Sequence, residues 1–297
     1  MKIVIAGGSG FLGEPLARRF VTGGHDVAVL SRNPSKVPIG RGVAWDGRSL
    51  GAWTAEVVAA EVVINLAGEN IGDGRWTAER KRRLINSRLN ATHALVEALK
   101  QSDKHPTFIS ASALGYYGPH GDEVLDESAP RGVGFLAELV ERWEAAAREA
   151  DAFTRLVIPR FGVVLARGGG ALGKMLLPFR FGVGGPIGSG RQWMSWVDRD
   201  DVLRALASLM ERESAHGVYN ITAPDPVRNR DFVHALGRAL HRPAVMPAPA
   251  FALRLAFGQM AEEILLTGQR VVPRRLLEEG FTFESADLEA TLRSIIQ

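Results

Sequence analysis

The chain of 297 residues contains no cysteine, which excludes disulfides, thiolate chemistry and Cys-ligated zinc. Its seven histidines show no i,i+4 pair or other ligand spacing, so no metal site is expected. No apolar run reaches the roughly 18 residues that a membrane span needs. The first residues run straight into a strand-like segment, with no charged n-region or apolar h-region, so a cytoplasmic protein is expected. Charge of one sign is also lacking: 36 Lys and Arg stand against 33 Asp and Glu, a formal net charge of +3. No stripe of basic and aromatic residues appears, which argues against nucleic acid as a partner. The one basic cluster, Arg80-Lys81-Arg82-Arg83, falls on a predicted helix and reads as a solvated face. What composition leaves is an ordinary globular chain, 46% hydrophobic and 23% charged, long enough for one large domain or two. Its expected partner is a small molecule, with no nucleic acid and no membrane, and a homo-oligomer is allowed.

Residues 3–13, IVIAGGSGFLG, carry the most information. A β-branched run ends in Gly7-x-x-Gly10-x-x-Gly13, and an apolar helical pattern follows through Phe11, Leu12, Leu16 and Phe20. A strand, a tight turn and a helix in that order suit a dinucleotide. Gly7 can take the turn at positive φ, Gly10 lets a pyrophosphate approach the backbone, and Gly13 lets the helix pack on the strand. The N–H groups at the helix N-terminus then face the anion. Gly7, Ser9, Gly10, Phe11, Leu12 and Gly13 are the expected cofactor contacts. The second strand-like run, HDVAVL (25–30), is followed by Ser31-Arg32-Asn33-Pro34, with Lys36 nearby and no acid at 30–32. An NAD site usually places Asp or Glu there for the ribose 2′-hydroxyl. A hydroxyl beside a guanidinium suits a 2′-phosphate instead, so NADP is the expected cofactor, through Ser31 and Arg32.

Strand and helix patterns alternate through the first half. Strands are expected at 43–45, at the continuous apolar run 61–66, at 106–111 and at 153–157. Helices are expected over about 76–100 and 134–150. This predicts an α/β fold, a doubly wound parallel Rossmann sheet with a smaller, mostly helical C-terminal substrate domain. The division falls at 1–165 for the NADP-binding domain and 166–297 for the rest, with a strand near 217–221 returning to the sheet. Residues 168–190 hold many glycines and two prolines, too many for a regular element, and read as a loop-rich wall over a pocket. The tail from about 249 reads as three small helices.

The motifs AGGSGFLG (6–13), Ser31-Arg32, NLAG (65–68), SASALGYYG (110–118) and RFGVVLARGGGAL (160–172), with the tail 252–283, resemble an atypical or extended short-chain dehydrogenase/reductase. The branch is the NAD(P)-dependent, epimerase-like one with a short helical C-terminal domain. The resemblance implies that Leu66, Ala67 and Gly68, at the fourth strand end, lie against the adenosine and ribose, and that Val163 lies near the nicotinamide. Arg88, on the long helix, either faces the cofactor or is a surface cation.

The family chemistry uses Ser, Tyr and Lys, the last two as Tyr-x-x-x-Lys on the helix after strand five. Here that helix reads GFLAELVERWEAAA (134–147), with neither Tyr nor Lys. Phe135 or Leu136 stands for the Tyr, and Leu139 or Val140 for the Lys. Ser112 matches the family Ser region, and Tyr116 and Tyr117 follow it closely, so these three are the catalytic candidates. Glu69, Arg160, Arg191 and Gln192 are candidate contacts to an anionic or polyhydroxylated substrate. Arg160 ends an apolar strand and should pair with a carboxylate or a ligand phosphate. Two functions follow. One is an NADP(H)-dependent oxidoreductase or epimerase-like protein acting on a sugar-nucleotide-like or small polar carbonyl substrate. The other is a non-catalytic NADP(H)-binding regulatory or redox-sensing protein.

Overall fold

The computed structural model describes residues 1–296. Seven parallel strands form its main sheet: β1 (Lys2–Ala6), β2 (Asp26–Ser31), β3 (Arg41–Ala44), β4 (Val62–Asn65), β5 (Thr107–Ser110), β6 (Arg155–Phe161) and β7 (Gly217–Ile221). The order across the sheet is β7-β6-β5-β4-β1-β2-β3. An eighth, two-residue strand, Ser112–Ala113, pairs with the end of β6. The chain leaves β1 toward β2 and β3 on one side and returns to β4 on the other. That reversal opens a crevice at the C-terminal ends of β1 and β4, where doubly wound sheets bind ligands.

Strand alternation explains the two inner cores. Ile3 and Ile5 face one side, with Leu16 and Phe20 of the helix Gly13–Thr22 (α1) and Val202, Leu206 and Leu209 of the helix Arg199–Glu211. Val4 and Ala6 face the other, with Ala91, Leu95 and Leu99 of the helix Ala78–Leu99 (α2). Burial on both faces is why β1, β2 and β4 read as unbroken apolar runs. A third core lies beyond the sheet. It joins the helices Gly170–Arg180, Asn229–Leu240 and Leu288–Ile296 around Trp196. Among the described residues, no helix is long and apolar enough to cross a membrane.

Two elements differ from the sequence reading. The glycine-rich stretch 168–190 contains an eleven-residue helix, Gly170–Arg180. Leu172, Met175, Leu176 and Phe179 recur at helical spacing and pack into the third core, which outweighs the glycines. Most of those glycines lie just outside the helix, and Pro178 falls in its last turn. Among the described residues the tail holds four short helical elements rather than three, Ala250–Phe257, a π-turn at Ala261–Leu265, Arg274–Glu278 and Leu288–Ile296, and a two-residue strand, Arg270–Val271.

Candidate functional site

The first glycine turn leaves space bounded by main chain. Gly7 has φ +79, and a Cβ there would stand 2.8 Å from the Leu66 carbonyl of the neighbouring strand end. A Cβ at Gly13 would lie 2.6 Å from Gly8 Cα. Gly8, which the fingerprint does not single out, is equally constrained: its Cβ would meet Val29 of β2 at 2.8 Å. Gly10 is different. It is exposed, and the one atom near its added Cβ is the Gly7 oxygen, at 3.2 Å. Gly10 N–H donates to that oxygen, closing the turn. No side chain caps α1 at Leu12; Glu14 N–H is spent on the Gly10 carbonyl at 3.0 Å and Pro15 has none, so the Leu12 and Gly13 N–H groups, without an acceptor among the described residues, are the donors left for an external anion. Ser9 is exposed beside Gly10. The Phe11 side chain packs on Gly169 and Gly170, and Leu12 packs on the first core, so these two offer the crevice their main chain.

At the end of β2, Ser31 Oγ accepts from Asn33 N–H at 3.1 Å, and Arg32 is exposed with no ion pair among the described residues. Across the crevice, Asn65 is buried and its Oδ1 accepts from Ala67 N–H at 3.2 Å. This fixes the bend that leaves Leu66 and Ala67 half-buried and Gly68 exposed. Arg88 packs on Gly68, lies 5.1 Å from the Trp143 ring and donates to the Leu84 and Glu69 carbonyls, each at 3.1 Å. It is therefore no solvated surface cation. Burial lowers its pKa to about 10, with Glu69 acting in the opposite direction. The uncapped helix, the open face of Gly10 and the acid-free end of β2 fit a phosphorylated dinucleotide.

Around β5 and β6 the residues are interlocked. Ser112 Oγ donates to Glu144 Oε1 at 2.6 Å. Arg160 Nε and Nη2 reach the two oxygens of the same carboxylate at 2.7 and 2.9 Å. Arg160 Nη1 donates to the Tyr117 hydroxyl at 3.0 Å, which itself donates to Asn220 Oδ1 at 2.8 Å. Ser112, Tyr117, Glu144, Arg160 and Asn220 are all at most 3% exposed. Burial opposes the Arg160 charge, but the Glu144 carboxylate holds its pKa above the ordinary value. Burial also pushes Tyr117 up to about 12, with Arg160 opposing. Ser112 and Tyr117 were expected to polarise a substrate. The structure instead directs both hydroxyls inward, because a buried Arg–Glu pair needs its remaining donors and acceptors satisfied. Arg160 likewise contacts Glu144 rather than the crevice. Tyr116 is the exception: it is half-buried, its ring lies 3.5 Å from the Arg160 guanidinium carbon, and its hydroxyl has no protein partner among the described residues.

The other candidates are dispersed. Glu69 is paired with Arg80 and lies 3.6 Å from Arg83. The Gln192 amide donates to the Ile187 and Leu265 carbonyls at 3.1 and 2.7 Å, so it ties main-chain segments together. Arg191 is exposed without an ion pair among the described residues. Val163 is half-buried and pairs with Trp196 in a short parallel ladder. On the helix Phe135–Arg148 (α3), Leu139 and Val140 are buried, while Phe135 and Leu136 join an apolar cluster with Trp76, Leu84 and Met260. Glu144 was not singled out in the sequence. The available signal was Arg160 itself, a cation at the end of an apolar strand that requires a carboxylate.

The fold and crevice define a Rossmann-type nucleotide-binding protein. The chain belongs to the NAD dependent epimerase/dehydratase family, whose profile matches residues 3–222, and residues 248–295 match a domain of unknown function, DUF1731. It is an extended short-chain dehydrogenase/reductase. It is 39% identical to the Bos taurus epimerase family protein SDR39U1 over 301 residues, covering 100% of both chains. The crystal structure of human SDR39U1 (isoform 2) with NADPH superposes with TM-score 0.90 at 37% identity, covering 99% of each chain. A nucleoside-diphosphate sugar epimerase from Corynebacterium glutamicum gives TM-score 0.80 at 31% identity, over 99% of this chain and 57% of that one.

Proposed function

We propose that this chain is an NADP(H)-dependent oxidoreductase or epimerase-like enzyme acting on a sugar-nucleotide-like or small polar carbonyl substrate. The observation that carries the cofactor reading is the cradle: Gly10 open to the crevice, an uncapped α1, and Ser31-Arg32 in place of an acid at the end of β2. Gly7 to Gly13 hold the pyrophosphate, Arg32 the 2′-phosphate, and Leu66 to Gly68 the adenosine side. NADPH, when bound, supplies a hydride. The proton does not come from a Tyr–Lys pair on α3, which has neither residue. Tyr116 is the candidate donor, since its hydroxyl is not engaged within the protein. The partner in this reading is a small molecule, and the setting is cytoplasmic.

The interlocked Ser112–Glu144–Arg160–Tyr117 corner favours a second reading, a non-catalytic NADP(H)-binding protein. Titration with NADPH and NADH, followed by NADPH oxidation across sugar nucleotides and small carbonyls, tests both. Preference for NADPH with turnover supports the enzyme. Preference without turnover supports the binding protein, and equal affinities for the two cofactors exclude the 2′-phosphate assignment.

A further inference from the structure

Two stretches of this chain are free of acid. No Asp or Glu occurs from 152 to 197 or from 232 to 261. They meet in the structure. Met246 N–H donates to the Gly184 carbonyl at 3.1 Å, and Ala248 N–H to the Pro186 carbonyl and Gly188 N–H to the Ala248 carbonyl, each at 2.9 Å. Large apolar side chains stand out along both strips. Leu177 and Phe181, one helical turn apart, are 56% and 75% exposed, and Val245 is 78% exposed. On the helix Ala250–Phe257, Phe251 and Leu255 repeat that spacing at 72% and 77%. Its sequence, AFALRLAF, is apolar nearly all round, a pattern that normally marks a buried helix, yet none of its residues is buried. Of the twelve large apolar side chains most exposed among the described residues, seven lie in 177–183 and 245–255. Cations accompany them. Arg180 and Arg242 are exposed with no ion pair among the described residues. Arg242 also lines a concavity of about 560 Å³ with His234, Arg238 and His241, bounded by Ala244 next to Val245. The acids that reach this side, Glu289 and Glu262, are taken by Arg238 and Arg254.

We infer that this face, 177–183 with 242–255, docks on an anionic lipid bilayer, its apolar side chains in the acyl boundary and its arginines at the headgroups. Charge selects the occupant. A second copy seated on the same patch about a two-fold axis would set cations against cations, with no acid in either strip to answer them. An anionic bilayer offers negative charge and an apolar layer together, which is what exposed apolar side chains beside arginines match. This departs from the expectation of no membrane partner. That expectation rests on the lack of a spanning run, and a helix lying on a bilayer needs none.

The test sediments the full-length protein with vesicles of phosphatidylcholine alone and of an equal mixture with phosphatidylglycerol, at low and high salt. Uptake by the mixed vesicles is expected, with little uptake by the neutral ones and release at high salt. Arg180→Gln with Arg242→Gln should weaken uptake about thirtyfold, at about fivefold for each cation near an anionic surface. Phe251→Ser with Leu255→Ser should weaken it about tenfold or more, through lost apolar burial. Circular dichroism and NADPH affinity should stay at the parent's values in both double variants, since all four side chains are exposed. Equal uptake by neutral and mixed vesicles, uptake by neither, or uptake unchanged in either double variant overturns the proposal. Self-association in sedimentation velocity that Phe251→Ser with Leu255→Ser abolishes, without vesicle uptake, assigns the face to a second copy and overturns it as well.

Discussion

Around Gly10 the closest atom to an added side chain is a main-chain oxygen, and no residue caps the adjoining helix. Around Ser112, 32 residues separate it in sequence from its carboxylate partner, and the neighbouring charges and hydroxyls are closed into a buried network. The first region is shaped by backbone and left open to a ligand. The second is shaped by side chains and satisfied internally. In this chain the glycine turn stays open while the hydroxyls of Ser112 and Tyr117 are committed to a buried network.

The strongest way to break this comparison is to open the closed corner. Glu144→Ala should cost about 3–5 kcal/mol of stability, because it leaves Arg160 buried and unpaired. Urea unfolding measures it, and a loss below 1 kcal/mol would mean that Arg160 finds another partner. The reciprocal experiment fills the open region. Gly10→Val should abolish NADPH binding, by more than about a hundredfold or 2.7 kcal/mol. Circular dichroism and urea unfolding should stay near the parent, since a Cβ at Gly10 meets the Gly7 oxygen at a tight but tolerable 3.2 Å.

Tyr117 sharpens the contrast through pH. Its hydroxyl is pushed up to about 12 in the folded state, first by burial. A pKa raised above its unfolded value contributes stability that is complete below about pH 10 and is lost as pH rises from there toward 12. Two units correspond to at most about 2.7 kcal/mol. Tyr117→Phe should flatten the fall in stability measured between pH 9 and 11.5, and an unchanged slope would place its source elsewhere. A comparable effect concerns cofactor choice. Arg32→Ala should weaken NADPH by about 1.5–3 kcal/mol and leave NADH unchanged, the range for a hydrogen bond to a charged group. Fluorescence titration with both cofactors measures it.

The sequence by itself determined the cradle and the sheet. Glycine at 7, 10 and 13 between a β-branched run and an amphipathic helix is a local pattern, and local φ/ψ demands are written in adjacent residues. The absence of Tyr and Lys from α3 was equally legible, because that motif spans one helical turn. Tertiary structure decided the rest. Glu144, Arg160, Tyr117 and Asn220 come from a helix, two strands and a short 3-10 turn, and only the parallel pairing of Ser112 with Arg160 and of Asn220 with Arg160 brings them together. The helix Gly170–Arg180 forms against its glycine content because a third core lies ready to bury Leu172 and Phe179. The roles of Glu69, Gln192 and Lys81 depend on partners 11, 73 and 178 residues away in the chain. Such partners leave no mark in the spacing of neighbouring residues, since a buried polar group needs only some matching group within hydrogen-bonding reach, wherever the chain supplies it.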